Sequence, residues 1–90
     1  MNKNSPQYLK RIEALYKAGG YTLRYERGHF QPGRCVLRDR QMVVVNKFYT
    51  TEAKISALCE LAIEIEWEKD LLESGQQQLL TEISQTRLPL

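Results

Sequence analysis

The run Met42–Asn46 constrains the fold more than any other stretch of the chain. It is apolar without alternation, which is typical of a strand that is central in its sheet or covered on both faces. Two further strand-like stretches precede it, and their short connections favour an antiparallel meander. We therefore predict a three-stranded antiparallel sheet between about residue 21 and residue 46.

The two preceding stretches each alternate between apolar and polar side chains. Residues 21–26 place Leu23 on one face and Arg24 on the other, as expected of a strand with one buried face. Residues 34–38 alternate in the same way, with Leu37 on the apolar face. The predicted sheet therefore has an apolar face for the core and an arginine-bearing face directed outward.

Helices flank the predicted sheet in the sequence. Ser5–Pro6 is a helix start and Gly19–Gly20 is a helix stop, so the pattern predicts a helix over residues 6–18. A second helix is predicted from about Thr51 to about Glu73, because a threonine cap and an acidic first turn open it. Its apolar side chains initially cover more than half of the circumference, which indicates a helix packed inside the domain.

These elements predict an α+β fold: an N-terminal helix, the antiparallel meander, a long C-terminal helix across one sheet face and a short final helix over residues 76–83. Residues 1–90 form a single small domain, in which 74–90 is a loose or partner-packed tail. The predicted core comprises Leu9, Ile12, Leu15, Leu23, Cys35, Leu37, Val43, Val45, Ile55, Leu58, Ala62 and Ile65.

The composition indicates the cellular compartment in which the protein resides. No apolar run approaches the roughly 20 residues that a transmembrane helix requires, and the N-terminal residues lack the features of a signal peptide. Two cysteines, Cys35 and Cys59, are too few for a disulfide framework. We therefore expect a cytoplasmic protein with reduced thiols and no membrane partner.

The charge is unevenly distributed along the chain. The formal net charge is +2, but residues 1–49 carry +7 and residues 50–90 carry −5. The basic residues concentrate around the predicted sheet, whereas Glu60, Glu64 and Glu68 lie one turn apart on the second predicted helix. This division predicts two separate surfaces, a basic sheet and an acidic helix.

The second predicted helix also contains Cys59 followed by Glu60. Residues 55–61 resemble the Phe-Thr-Leu-Ala-His-Glu-Leu pattern of zinc-dependent regulatory peptidases that are paired with helix-turn-helix repressors, and the likeness covers residues 42–63. The resemblance implies a strand followed by a zinc-binding helix, with Glu60 at the catalytic position. However, Cys59 replaces the first ligand histidine and Ile63 replaces the second, where isoleucine cannot bind zinc.

No complete catalytic or metal-binding constellation is present in the sequence. His29 is the single histidine, and it lies in a predicted loop far along the chain from Cys59. We therefore predict no catalytic residue, no metal ligand and no cofactor, with Cys59 and Ile63 packed in the core. The alternative is a metal-free degenerate peptidase-like domain.

Two surfaces are candidates for binding. The first is basic and lies around the sheet, where arginine presents a planar fork to anions and aromatic rings stack. It comprises Arg24, Arg27, His29, Phe30, Arg34, Arg38 and Arg40. The second is an apolar row at the C-terminal end, predicted to form dimer contacts through Trp67, Leu71, Leu72, Leu79, Leu80 and Ile83.

These features favour a small non-enzymatic cytoplasmic interaction module. Its predicted partner is another protein or a second copy of the chain, because a small domain with an exposed apolar row usually needs a partner. The alternative is a nucleic-acid or ribonucleoprotein accessory protein, since sheet surfaces that combine arginines with aromatics also bind single strands.

Overall fold

The computed structural model describes residues 5–27, 36–39 and 41–87. In chain order, its elements are α1 Pro6–Ala18, β1 Thr22–Glu26, β2 Val36–Asp39, β3 Met42–Asn46, α2 Thr51–Glu64, a 3-10 turn Lys69–Leu71 and α3 Ser74–Arg87. The protein is a small mixed α+β domain, so the predicted class is confirmed. The arrangement of its strands differs from the prediction.

The first helix begins and ends where the sequence predicts. The Oγ of Ser5 accepts a hydrogen bond from the backbone N–H of Tyr8 at 3.2 Å, and Pro6 occupies the first helical position. Beyond the other end, Gly20 has a φ of +90°, a left-handed conformation that favours glycine. The chain can therefore leave α1 and turn directly into β1.

The sheet is not an antiparallel meander. Its strand order is β1–β3–β2; β1 pairs with β3 in parallel and β2 pairs with β3 in the antiparallel sense. The predicted meander is therefore wrong. Nine residues separate β1 from β2, which is ample length to reach a strand about 10 Å away on the far side of β3. The valine-rich β3 is the central strand and is paired along both of its edges.

The register also separates two arginines that the sequence places on one surface. Arg24 belongs to β1 and is paired in register with Val44, whereas Arg38 belongs to β2 and is paired in register with Val43. Because β3 lies between the two strands, the two arginines belong to opposite edges of the sheet.

α1 and α2 pack against one face of the sheet. Val43 and Val45 on this face are fully buried, whereas Met42 on the other face is 36 % exposed. Leu9 and Leu23 are half-buried against the core, and Cys35 lies outside the described residues. The predicted core is confirmed at Ile12, Leu15, Val43, Val45, Ile55, Leu58, Ala62 and Ile65.

The second helix ends at Glu64, earlier than the predicted end at about Glu73. Ile65 already has extended backbone angles, with φ −81° and ψ 138°, and its side chain is buried. A continued helix would direct residues such as Glu66 and Lys69 toward the apolar side, and burying unpaired charges is unfavourable. The break leaves both of these side chains exposed.

The last helix belongs to the folded unit. It packs against α2 and buries Leu79, Leu80 and Ile83. The side-chain amide of Gln77 donates to the backbone oxygens of Lys69 and Leu72, both at 3.0 Å, which joins the 3-10 turn to α3. None of the helices in the described part of the chain has the length and hydropathy needed to cross a bilayer.

Candidate binding site at the end of the sheet

Cationic and aromatic side chains meet where β1 and β3 end. Because these strands are parallel and Glu26 is opposite Asn46, the residues that follow them emerge at the same end of the sheet. The backbone N–H of Lys47 donates to the carbonyl of Glu26 at 3.1 Å, which extends the pairing by one step. Arg27 and the Lys47–Phe48 dipeptide are thereby brought together.

Phe48 is the most exposed large apolar side chain in the described part of the chain, at 65 %. Its backbone N–H donates to Oδ1 of Asn46 at 2.9 Å, and the N–H of Tyr49 donates to the Asn46 carbonyl at 3.1 Å. This turn fixes the backbone that carries the ring. The backbone carbonyl and the side chain of Asn46 thus hold the turn in which the Phe48 ring lies outside the core.

Two cations lie beside the Phe48 ring. The Cζ of Arg27 is 5.6 Å from the ring centroid and the Nζ of Lys47 is 5.3 Å from it. Both distances are in the range of cation–π attraction, worth about 0.5–1 kcal/mol at exposed positions. We call Arg27, Lys47 and Phe48 the sheet-end cluster. It combines an apolar surface with two groups that attract anions.

A third cation lies at the same end of the fold, on the inner side of β1. The Nζ of Lys54, in the first turn of α2, is 4.7 Å from the ring centroid of Tyr25. The hydroxyl of Tyr25 donates a short hydrogen bond to Oε2 of Glu13, which ties β1 to α1. Burial, together with this hydrogen bond and the charge of Glu13, raises the pKa of Tyr25.

We expect the free energy of unfolding to fall as the pH rises above about 10. Burial chiefly, with smaller contributions from Cys59 and Tyr21, also raises the pKa of Tyr16, so two phenols keep their protons in the folded state while the unfolded chain releases them. Stability from a raised pKa is complete below the unfolded value and declines above it, by up to about 1.4 kcal/mol per pH unit for each phenol.

The variant Tyr25→Phe should therefore lose stability less steeply than the wild type between about pH 10 and about pH 11. The difference between the two slopes should be smaller than about 1.4 kcal/mol per pH unit, because Tyr25 is only half-buried and solvent weakens its interactions. Urea unfolding at a series of pH values measures both slopes. Identical slopes of the two proteins above about pH 10 would contradict the assignment of Tyr25.

The structure places the predicted basic surface as follows. Arg27 belongs to the sheet-end cluster, and Arg24 lies on the outer face of β1, where its guanidinium is 2.7 Å from a carboxylate oxygen of Glu26. Arg38 belongs to β2, at the opposite edge of the sheet. The remaining predicted members, His29, Phe30, Arg34 and Arg40, lie outside the described residues.

The predicted basic surface omitted Lys47, Phe48 and Lys54, although Phe48 lies among the aromatic residues of the basic half of the sequence. In the predicted meander β1 and β3 also run in the same direction, but β2 lies between them and keeps Arg27 about 10 Å from Lys47 and Phe48. Parallel pairing of β1 with β3 is the feature that unites them. Only knowledge of the strand order would have identified the cluster.

The residues predicted for dimer contacts pack largely within their own chain. Leu72, Leu79, Leu80 and Ile83 are buried, whereas Leu71 is 54 % exposed. Trp67 is half-buried, and its ring centroid lies 5.2 Å from that of Tyr16 and 5.6 Å from that of Tyr21. Self-association therefore remains a prediction, with Leu71 as the accessible member of the row.

The helix that resembles a peptidase zinc site contributes Cys59 to the core, where it is 2 % exposed. The hydroxyl of Tyr16 donates to the backbone oxygen of Leu58 at 2.5 Å, which fastens α1 to this part of α2. Ile63 is half-buried and lines a groove beside Trp67. Across residues 5–27, 36–39 and 41–87, no three side chains of His, Cys, Asp or Glu are grouped as metal ligands.

The chain matches no protein-family model, and no match is found among curated proteins or solved structures. The resemblance of residues 42–63 to zinc-dependent peptidases thus remains a prediction. In chemical terms, the sheet-end cluster offers an exposed ring for apolar contact and two basic side chains for carboxylates or phosphates. Such a surface is suited to binding.

Proposed function

We propose that this protein is a small non-enzymatic cytoplasmic interaction module that binds an acidic segment of a partner protein through the sheet-end cluster. The observation that carries the proposal is the exposure of Phe48, at 65 %, between two cations. A turn holds the ring outside the core, although burying a phenylalanine side chain stabilises a fold by roughly 1.5–3 kcal/mol. A partner that covers the ring gains this stabilisation for the complex.

The charges around Phe48 support an acidic partner. The Arg27 guanidinium binds carboxylates in a bidentate fork, and the Lys47 ammonium adds a second positive charge. Exposed cations of this kind accelerate association with oppositely charged partners. Aromatic anchors and arginine are also the residues that dominate binding energy at protein interfaces. Ring and cations together favour a segment in which an apolar side chain lies beside carboxylates.

A second candidate ligand is single-stranded nucleic acid, and the same exposed ring favours it. A base stacking on Phe48 would contribute about 1–3 kcal/mol, and the cations would contact phosphates. Affinity would then decline steeply with salt, because phosphate contacts release bound counterions. The two candidates differ in the probe that binds and in this salt dependence.

Selection from a displayed library of random peptides on the immobilised protein tests the proposal. We expect the enriched peptides to combine Asp or Glu with an apolar side chain. Fluorescence anisotropy should then show that Phe48→Ala weakens the best peptide by tenfold or more, since interface aromatics often contribute 2 kcal/mol or more. Leu71→Ala is the matched control, because Leu71 is the other strongly exposed apolar side chain, and it should leave affinity unchanged.

Two outcomes would contradict the proposal. One is an equal affinity of Phe48→Ala and wild type for the selected peptide. The other is the absence of acidic enrichment together with salt-sensitive binding of a single-stranded oligothymidylate that Phe48→Ala abolishes. That second result would favour the nucleic-acid candidate.

A further inference from the structure

β1 lies at the edge of the sheet. The strand order β1–β3–β2 leaves one side of β1 without a neighbouring strand among residues 5–27, 36–39 and 41–87. Exposed strand edges carry unpaired N–H and C=O groups that accept another strand, and natural proteins commonly cover or disrupt them. Within the part of the chain that the structure describes, β1 therefore has one edge to which no other strand is paired.

The backbone hydrogen bonds identify the groups that point outward. The N–H of Thr22 donates to the Gln41 carbonyl at 2.7 Å, and the Glu26 carbonyl accepts from Lys47 at 3.1 Å. Both residues thus direct their backbone groups toward β3. Because the direction alternates along a strand, Leu23 and Tyr25 direct their N–H and C=O groups toward the open edge.

A groove of about 390 Å³ lies between α1 and β1. The lining residues are Glu13, Lys17, Tyr21, Thr22, Leu23 and Tyr25. Extended peptides bind exposed sheet edges by β-strand addition, in which main-chain hydrogen bonds supply affinity and side-chain pockets supply specificity.

We infer that an extended acidic segment of a partner protein binds along β1 as a fourth strand and continues onto the sheet-end cluster. The inference rests on the proposed function and specifies how the same partner is held. β1 runs toward Arg27, which directly follows Glu26, so a strand laid along its edge extends to the cluster beside Phe48. One segment can thus contact both surfaces.

The charges along β1 favour an acidic occupant. Arg24 faces outward on β1, where it is exposed and pairs with Glu26 at 2.7 Å, and a carboxylate opposite it on an added strand would join this pair. The carboxylate of Glu13 is already engaged by the Tyr25 hydroxyl. Apolar side chains of the segment would lie on the Leu23 and Tyr25 side, alternating with acidic ones.

A second copy of the chain fits this edge less well. In an antiparallel dimer whose register pairs the whole of β1, Leu23 is opposite Tyr25 of the other copy and the two Arg24 residues face one another directly. Like charges at directly opposite positions destabilise a strand pair. The same register with an acidic partner replaces this repulsion by attraction.

Backbone N-methylation of the ligand tests the inference. The probe is a short capped peptide of alternating valine and aspartate, made in two forms. One form carries N-methyl groups on the valines, and the other carries them on the aspartates. In one of the two forms the lost N–H groups are those that would face β1, and in the other they are those that would face solvent. We expect one form to bind at least tenfold more weakly than the other, since the facing donors are lost. Equal affinities of the two forms would overturn the inference.

Hydrogen exchange measured by NMR gives an independent readout. In the free protein, the amides of Leu23 and Tyr25 should exchange faster than those of Arg24 and Glu26, and the unmethylated peptide should protect them. Protection of Leu23 and Tyr25 that increases with protein concentration, without peptide, would overturn the acidic occupant in favour of a second copy.

The two proposals fail in different ways. If Phe48→Ala abolishes binding but the two N-methylated forms bind equally, the cluster is the site and strand addition is wrong. If the forms differ but Phe48→Ala binds as the wild type does, the strand edge is the site and the proposed role of the cluster is wrong.

Discussion

Replacing Trp67 with alanine should lower the free energy of unfolding by about 3 kcal/mol, the low end for truncation of a packed tryptophan. Trp67 lies beyond the end of α2 and folds back on it, with its indole N–H donating to the carbonyl of Ala62 at 2.9 Å. That carbonyl lies in the last turn of α2, where carbonyl groups have no N–H partner within the helix. The variant therefore loses a helix cap as well as packed area.

The indole is also the centre of an aromatic cluster. Its ring centroid lies 5.2 Å from Tyr16 and 5.6 Å from Tyr21, and the three rings meet edge to face, an arrangement worth about 0.5–1.5 kcal/mol for each pair beyond burial. Tyr16 belongs to α1 and Tyr21 immediately precedes β1. Trp67 thus connects the exit of α2 to the turn between α1 and β1.

Two further variants separate these contributions. Trp67→Phe keeps an aromatic ring but removes the donor to Ala62, so it should lose only about 1 kcal/mol plus a small packing term. Leu71→Ala alters an exposed side chain nearby and should change stability by less than about 0.5 kcal/mol. Urea unfolding followed by circular dichroism measures all three. A loss in Trp67→Ala no larger than that in Leu71→Ala would contradict the account.

Gly19→Ala should destabilise the protein by about 1–3 kcal/mol, the usual range for overpacking. A Cβ at this position would lie 2.5 Å from Cζ3 and 2.7 Å from Cε3 of Trp67, far inside van der Waals contact. The backbone of Gly19 is not in the left-handed region, since its φ is −76°. The expected effect therefore comes from steric conflict with the indole ring.

Gly75→Ala is the matched control for this substitution. Gly75 lies in the first turn of α3, and an added Cβ there meets nothing within 4 Å, so the variant should be unchanged or up to about 1 kcal/mol more stable. In a Trp67→Ala background the loss from Gly19→Ala should largely disappear, because the clashing ring is gone. Equal losses from Gly19→Ala with and without the indole would show that the conflict is not with Trp67.

Local signals in the sequence identified the elements whose ends depend on a few neighbouring residues. Ser5 and Pro6 specified the start of α1, and Thr50 specified the start of α2, where its Oγ1 accepts from the N–H of Ala53 at 3.1 Å. The end of α2 at Glu64 was missed. The sequence shows that the apolar face of the helix is interrupted beyond Ile65. It does not show that the chain leaves the helix at this point, buries Ile65 and folds Trp67 back against Ala62.

The strand order depended on information that is not local. Two inferences conflicted: the valines of β3 indicated a central strand, whereas short connections indicated a meander that would leave β3 at an edge. The composition of β3 was the better guide, because burial of Val43 and Val45 follows from their own side chains, while pairing between β1 and β3 depends on contacts twenty residues apart. The candidate site was missed for the same reason.

The parallel pairing of β1 with β3 is the central claim, since it brings Arg27 beside Lys47 and Phe48 in the sheet-end cluster. Nuclear Overhauser effects between backbone protons test it most directly. We expect contacts that join Leu23 to Val43 and Tyr25 to Val45, with no contact from either residue to β2. Contacts that join Leu23 or Tyr25 to residues 36–39 would restore the antiparallel meander and contradict the account.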